Sequence, residues 1–485
     1  MEKQILKEID YKKVFYYFEE ISSVPRGSRD NKRISDYLVQ FAKERNLSVV
    51  QDDLENVVII KEATKGYEHC DAVMLQGHMD MVCIKDVTSN HDFLKEGLEL
   101  VVDGDFIHAK GTTLGGDNGI AIAMALAILD SDDYVHPRLE VVITTDEEIG
   151  LIGATGLDTT SLQAKYMINL DSEEETSITV GCAGGMTAMS ELPLTYKPSK
   201  GNCLKVSLLG LQGGHSGIEA AKNRTNANLL MARMIMELGR KVTFEVAHME
   251  GGQKDNAIPS EAYVTLMVAD EYMEGVVEEL KYLEKVFKHE LQSSEPSFYL
   301  TIENQGVKEE QVLEPADLQK VLMFVLFQPN GVQVMSSDIE GLVESSLNLG
   351  IFKMNEKQAE FSYSVRSSIA SYKEFMSQKL ETLTVFLGGS YHYEGSYPAW
   401  EYKKNSKLRD LCVKIYKEEF QRDPIIETIH AGLECGIIAE KMPGIDIVSI
   451  GPDMNDVHTP LERLSISSTK RVFDYVVKIL ESICQ

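Results

Sequence analysis

The sequence predicts an α/β protein whose sheet-and-helix sandwich is split by an inserted α+β domain. Three observations predict it. Short apolar runs alternate with amphipathic helical patterns as far as residue 185. Side chains of metal-ligand type stand where several of those runs end. They then cease until His458, which joins the last stretch of chain to the first. The predicted boundaries are 1–185 together with 398–485 for the split, metal-binding domain, and 186–397 for the insertion, expected to act as a lid.

In the first part, Tyr11–Ser23 and Asp30–Arg45 carry helical periodicity. Val57–Ile60, Ala72–Gln76, Leu139–Thr144 and Tyr166–Leu170 are apolar runs of the length of interior strands. Gly119–Leu129, rich in Ala, Ile, Leu and Met, reads as a buried helix. This rhythm implies a largely buried sheet with ligands gathered at its strand ends. In the insertion, strands are expected at Leu204–Leu209, Thr243–His248, Phe298–Glu303, Ser345–Lys353 and Glu360–Val365. Helices are expected at Asn226–Arg240, Tyr272–Gln292, Glu314–Phe327 and Tyr372–Leu387. Alternation then resumes, with helices Ser406–Phe420, Leu433–Lys441 and Thr469–Ile483 around strands Ile425–Glu427 and Ile445–Ser449. Ser172–Glu175 reads as a solvated loop.

Composition narrows the classes. A chain of 485 residues exceeds the ~250–300 at which single cores stop growing. A net charge of −28 disfavours nucleic-acid backbones, anionic membranes and phosphorylated substrates. No apolar run approaches the ~20 residues that span a bilayer. Met1–Glu8 is charged where a secretory leader is apolar. A cytoplasmic protein is expected, with no nucleic-acid or membrane partner and with a homodimer left open. The seven cysteines are odd in number, scattered and free of Cys-x-x-Cys, so they read as reduced thiols, with Cys83 a small buried hydrophobe.

The chemistry begins at His78-Met79-Asp80, where a strand runs out and a carboxylate stands two positions after an imidazole. That is the arrangement in which an acid steers a metal-ligating histidine. Asp117 follows in Gly115-Gly116-Asp117-Asn118-Gly119, then Glu147 and Glu148 in Asp146-Glu147-Glu148-Ile149-Gly150, then Asp171 and Glu173 in Asn169-Leu170-Asp171-Ser172-Glu173, and finally His458 in Asp456-Val457-His458-Thr459-Pro460. A hydrolytic metal site needs ligands, an open position for water and a base for its proton. Adjacent glutamates project differently from one backbone, so one can ligate while the other serves as general base. A non-catalytic binder has no need of the second glutamate, and a phosphoesterase lacks support because no Gly-Lys phosphate loop occurs.

These segments, with GGHSG, HAGLECG and DVHTPLERL, resemble the metal-dependent dipeptidases and carboxypeptidases that include carnosinases, aminoacylases and the bacterial aminoacyl-histidine dipeptidases. The likeness runs over essentially the whole chain and is strongest to the aminoacyl-histidine dipeptidases. It implies hydrolysis of unblocked dipeptides, of the Xaa-His and β-alanyl-histidine kind, by a hydroxide activated by two Zn2+ ions, with Mn2+ or Co2+ as substitutes. Asp117 is implied to bridge the ions, His78 and Asp171 to complete one shell, and Glu148 and His458 the other. Glu147 is implied as general base, Asp80 as the group orienting His78, and the Asp117–Asn118 peptide as cis. Glu173 stands in reserve for Asp171. In the insertion, His215 is implied to stabilise an oxyanion, while Asn256, Arg366 and Gly432 are implied to meet substrate, Arg366 through a carboxylate. Glu434 is a candidate for a substrate imidazole. The remaining histidines named for surface or structural roles are 69, 91, 108, 136, 248, 289 and 392. An aminoacylase, tripeptidase or amidohydrolase of the same family is the alternative reading.

Overall fold

The computed structural model describes residues 5–484; the charged N-terminal stretch read above lies partly outside them, at Met1–Gln4. The chain forms two compact units. One comprises the chain up to Cys182, Tyr402–Thr428 and the chain from Leu433 on; the other comprises Ala183–Glu401 and a short return, Ile429–Gly432.

The first unit is built on an eight-stranded sheet in the order Ser48–Gln51, Val57–Lys61, Leu139–Thr144, Val73–His78, Tyr166–Asn169, Asp446–Ser449, Ser177–Cys182, Ile425–Ile429. The four strands from Leu139–Thr144 to Asp446–Ser449 run parallel. Every residue of Val73–His78, Leu139–Thr144 and Asp446–Ser449 is buried, as expected of parallel strands covered on both faces. The helix Gly116–Leu129 is apolar on all sides and buried apart from Asp117, so it packs as a core element. Its first residues are not helical: Asp117 (φ −78°, ψ 108°) and Asn118 (φ −116°, ψ 33°) precede the regular turns, and their peptide bond is cis. The expected helix start at Gly119 therefore marks where regular geometry begins.

The second unit carries an antiparallel sheet in the order Tyr299–Leu313, Tyr196–Leu209, Ala262–Val268, Glu245–Gly251, Val343–Met354, Gln358–Ser367, Gly184–Pro193, Ser390–Tyr397, with Gly331–Met335 paired to Val343–Met354. Helices Ala227–Gly239, Met273–Glu290, Pro315–Phe327 and Ala370–Phe386 accompany it, and helices and sheet share one apolar core. The α/β class read from the sequence holds. Four of these strands went unread, among them Gly184–Pro193 and Ala262–Val268. Both alternate buried and half-buried positions with small or polar residues, a weaker signal than a continuous apolar run.

Three readings are corrected. Cys70 and Cys484 form a disulfide, with Cα atoms 5.5 Å apart and 414 positions between them in sequence, so the seven cysteines are not all thiols. Cys83 is exposed rather than a buried hydrophobe. Glu175, in the segment expected to be solvated, is buried and paired with Arg422 and Arg471 at 2.9 and 2.8 Å. Denatured without reductant, the protein is expected to titrate five thiols, rising to seven after reduction. Seven in both states would return Cys70 and Cys484 to the reduced pool.

Candidate metal centre

Parallel strands in register deliver their loops to one edge. His78 is the last residue of its strand and pairs with Thr144, two residues before Asp146. Gln76 pairs with Asn169, two residues before Asp171, and Asn169 pairs with Ser449, from which the chain continues to His458. In such sheets the carboxyl ends of the strands are where ligands collect. Asp146 and His458 take left-handed backbone conformations, φ 52° and 63°, which non-glycine residues adopt at a cost and which cluster at functional sites. Asp146 is held there by Arg29 N–H (2.6 Å) and Asn31 Nδ2 (2.7 Å), both donating to its Oδ1.

Asp117 is the centre of the geometry. Its Oδ1 lies 3.1 Å from His78 Nε2 and its Oδ2 3.1 Å from His458 Nε2. His78 Nε2 also lies 3.5 Å from Asp171 and 4.0 Å from Glu147, and His458 Nε2 lies 3.0 Å from Glu148. Ligand atoms of His78, Asp117 and Glu148 fall within 4.8 Å of one another, so the chain carries a candidate metal site. The structure thus brings together all five residues proposed as ligands, and it is Asp171 rather than the exposed Glu173 that reaches His78. Asp80 stands on the far side of the ring, Oδ1 3.4 Å from His78 Nδ1. The same carboxylate accepts from the N–H groups of Glu147 (3.0 Å) and Glu148 (3.4 Å) and from Ser28 Oγ (2.8 Å).

The electrostatics fit a cation. Burial alone would lower His78, but Asp171, Asp117 and Asp80 raise it well above the ordinary histidine range. Hydrogen bonds to Asp117 and Glu148 raise His458 to about 10. Burial pushes Glu147 up to about 9 and Asp171 up to about 6, His78 opposing both. Asp117, where burial acts upward, is held far below the carboxylate range by His458 and His78. Protons are thus drawn to both imidazoles and to acids that repel one another. Mixed imidazole and carboxylate donors on both sides of one aspartate suit divalent ions such as zinc.

Two residues that fix this arrangement were not singled out in the sequence. Glu462 accepts from the N–H groups of Leu114, Gly115 and Gly116 at 2.7, 3.0 and 2.8 Å and from that of Asp117 at 3.4 Å, clamping the loop that presents Asp117. Arg26 is buried, and its guanidinium donates to the carbonyls of Met79 (3.1 Å), Asp80 (3.4 Å) and Gly115. Glu462 stands in the quoted segment DVHTPLERL, so its closeness to His458 was the available signal; Arg26 offered none.

In the second unit, His215, Arg366 and His430 gather around Gly217. A Cβ on Gly217 would stand 2.5 Å from His430 O, 3.1 Å from His215 Cε1 and 3.3 Å from Arg366 Nε. His215 Nδ1 accepts from the N–H groups of Gly217 and Ile218, both at 3.1 Å. Burial and Arg366 lower its pKa, so the ring is neutral with its proton on Nε2, free to donate. Arg366 Nη1 donates to Tyr397 Oη (3.0 Å), while its Nε and the Oγ of buried Ser216 have no partner among the described residues. His430 was overlooked in the sequence, although it opens the segment HAGLECG. It is buried, its Nε2 lies 2.7 Å from Ser346 Oγ, and burial with Arg366 and His215 pushes it down to about 4. Gly432 packs against Tyr397, where a Cβ would meet the ring at 2.6 Å. Asn256 is exposed and accepts at its backbone oxygen from Ser216 N–H (2.9 Å).

The model of peptidase family M20/M25/M40 matches residues 74–482. This chain belongs to that family. It is therefore an enzyme that hydrolyses peptide bonds. It is 35% identical to the cytosol non-specific dipeptidase of Escherichia coli (strain K12) over 481 residues, 99% of each chain. Its structure matches that of an aminoacylhistidine dipeptidase from Vibrio alginolyticus with a TM-score of 0.94 and 34% identity, over 99% of this chain and 98% of that one. An aminopeptidase from Bacillus cereus matches at a TM-score of 0.56 and 17% identity, over 98% and 100% of the two chains, and shares the fold. No helix among the described residues is long and apolar enough to cross a membrane.

Because His458 and Asp171 hold protons more firmly than free side chains do, a metal ion must displace them. Apparent affinity is expected to climb between pH 5.5 and 8, by roughly tenfold per pH unit for each proton released. A chelator-competition titration repeated across that range checks this, and a flat profile would count against the ligand set.

Proposed function

We propose that this M20-family enzyme is a metal-dependent dipeptidase acting on unblocked dipeptides, Xaa-His and β-alanyl-histidine among them, and that it works with two zinc ions, for which Mn2+ or Co2+ can substitute. The observation that carries the reading is Asp117, with one oxygen 3.1 Å from His78 Nε2 and the other 3.1 Å from His458 Nε2. One ion would be held by His78, Asp117 and Asp171, the other by His458, Asp117 and Glu148. When bound, such a pair supplies Lewis-acid activation of water and polarisation of the scissile carbonyl. The full-length likeness to the E. coli and Vibrio dipeptidases supports the substrate class, and the description of the E. coli protein as cytosolic supports a cytoplasmic location.

The remaining work belongs to the chain's own residues. Glu147 takes the proton of the attacking water and returns it to the amide nitrogen as the bond breaks. Asp80 keeps the His78 ring turned so that Nε2 faces Asp117, and by holding the Glu147 and Glu148 N–H groups it sends the two side chains in different directions. Arg366 receives the free carboxylate of the dipeptide, with Gly432 and Asn256 as further substrate contacts. His215, neutral with a free Nε2–H, donates to the oxyanion that develops during attack.

Glu147→Gln is expected to keep its metal content while losing turnover by ~10²-fold or more, the loss typical of deleting a general base. Glu148→Gln is expected to lose metal as well. Elemental analysis beside single-turnover rates separates them, and equal metal loss in both would remove the distinction between base and ligand. On metal-stripped protein reloaded with Zn, Mn or Co, a panel of dipeptides, tripeptides and N-acyl amino acids is expected to show turnover of unblocked dipeptides, Xaa-His included. Preference for N-acyl amino acids or tripeptides would reassign the substrate class within the family.

A further inference from the structure

Glu434, read from the sequence as a candidate for a substrate imidazole, takes no part in the ligand set or the proton transfer proposed above. It is the first residue of the helix Glu434–Lys441, and its side chain is fully buried. Its Oε2 accepts from Thr144 Oγ1 (2.7 Å) and from Gln76 Nε2. Thr144 closes the strand that turns into Asp146–Glu148, and Gln76 stands two residues before His78 in the neighbouring strand. The chain of bonds continues sideways. Gln76 Oε1 accepts from Asn169 Nδ2 (2.6 Å), and Asn169 Oδ1 accepts from Ser449 Oγ (2.5 Å) and from the N–H of Asp171 (3.3 Å). Ser449 Oγ in turn lies 2.8 Å from Ser172 Oγ.

One carboxylate therefore anchors a buried polar row across four parallel strands, two or three residues before His78, Glu147 and Asp171. Ladder hydrogen bonds fix where strands lie, but not the direction of the side chains beyond their ends. A row of side-chain amides and hydroxyls can fix it, because each amide has a defined donor and acceptor end. Asn169 donates to Gln76 Oε1, so Gln76 must present its NH2 to Glu434, and only an acceptor completes the row. Buried networks of this kind rigidify when every link is satisfied and weaken when one is removed.

Resting on the metal reading above, we propose that Glu434 is a positioning residue: through Gln76 and Thr144 it holds His78, Asp171 and the Asp146–Glu148 turn in the arrangement that receives metal. Its other oxygen, Oε1, is buried with no hydrogen-bond partner among the described residues. A contact between that oxygen and a cationic substrate group is the rival, and the test separates the two.

The experiment uses the full-length chain stripped of metal. Zinc affinity is measured by competition with a chromophoric chelator, alongside the melting temperature and the kcat and KM for a dipeptide. Glu434→Ala is expected to weaken zinc by ~10–100-fold, the usual cost of removing a group that orients a ligand, and to lower kcat with little change in KM. Glu434→Gln keeps an acceptor for Gln76 and Thr144 and is expected to recover most of the zinc affinity. Thr144→Val removes one link and is expected to weaken zinc partially, while adding it to Glu434→Ala costs nothing further. Unchanged zinc affinity in Glu434→Ala overturns the proposal. So does a Glu434→Gln protein that binds zinc normally but has a raised KM, the outcome for a charge that meets substrate. Should Glu434→Ala fail to fold, Thr144→Val with native melting and native zinc affinity overturns it instead. A wild-type chain that takes up no zinc overturns the metal reading first and this proposal with it.

Discussion

Crowded negative charge is the constraint on which the first unit depends. Asp117, Asp171 and Glu147 each bring an oxygen within 4.0 Å of a single nitrogen, His78 Nε2. Two unit charges ~4 Å apart repel by ~4 kcal/mol at the effective dielectric near protein surfaces. Such a cluster persists only with positive charge among the acids, and the metal-free chain draws protons onto its histidines to supply it. The same property suits the cluster to divalent ions.

The supports around the cluster work by fixing backbone rather than by adding charge. Glu462 spends its carboxylate on four N–H groups of one loop, and Asp80 holds two more in the turn that carries the glutamates. The histidines of the second unit live under the opposite rule. His430 is buried and His215 half-buried, both beside Arg366, so they stay neutral where His78 and His458 are charged. One residue type thus sits charged among carboxylates in one setting and uncharged beside an arginine in the other.

Much of this was legible in the sequence because the two signals reinforce each other. An apolar run long enough for a buried strand predicts where the backbone stops, and a His, Asp or Glu just beyond it predicts what stands there; His78, Glu148 and Asp171 were found in this way. That Asp117 turns one oxygen to His78 and the other to His458 was legible only through family likeness, since nothing in a glycine-rich segment tells how its two oxygens point. Residues acting through distant partners were silent. Arg26 meets carbonyls 53 and 89 positions away, and Cys70 meets Cys484 across nearly the whole chain. Local periodicity carries no information over such separations. His430 was missed for a different reason: the strand that ends just before it, Ile425–Ile429, is short and at most half-buried, and its importance lies in what packs around it.

The distance in sequence between Asp117 and His458, 341 positions, has a consequence for the making of the protein. A chain emerging from the ribosome presents His78, Asp117, Glu148 and Asp171 long before the residues that complete their surroundings. Until the last few dozen residues arrive, the Asp117 loop has no Glu462 to clamp it and the second imidazole is missing. The whole inserted unit is synthesised in that interval and has the composition to form its own core first. The full set of proposed ligands is therefore complete only late, so a truncated chain lacking its C-terminal segment would carry most of the acids without the second imidazole and without the Glu462 clamp.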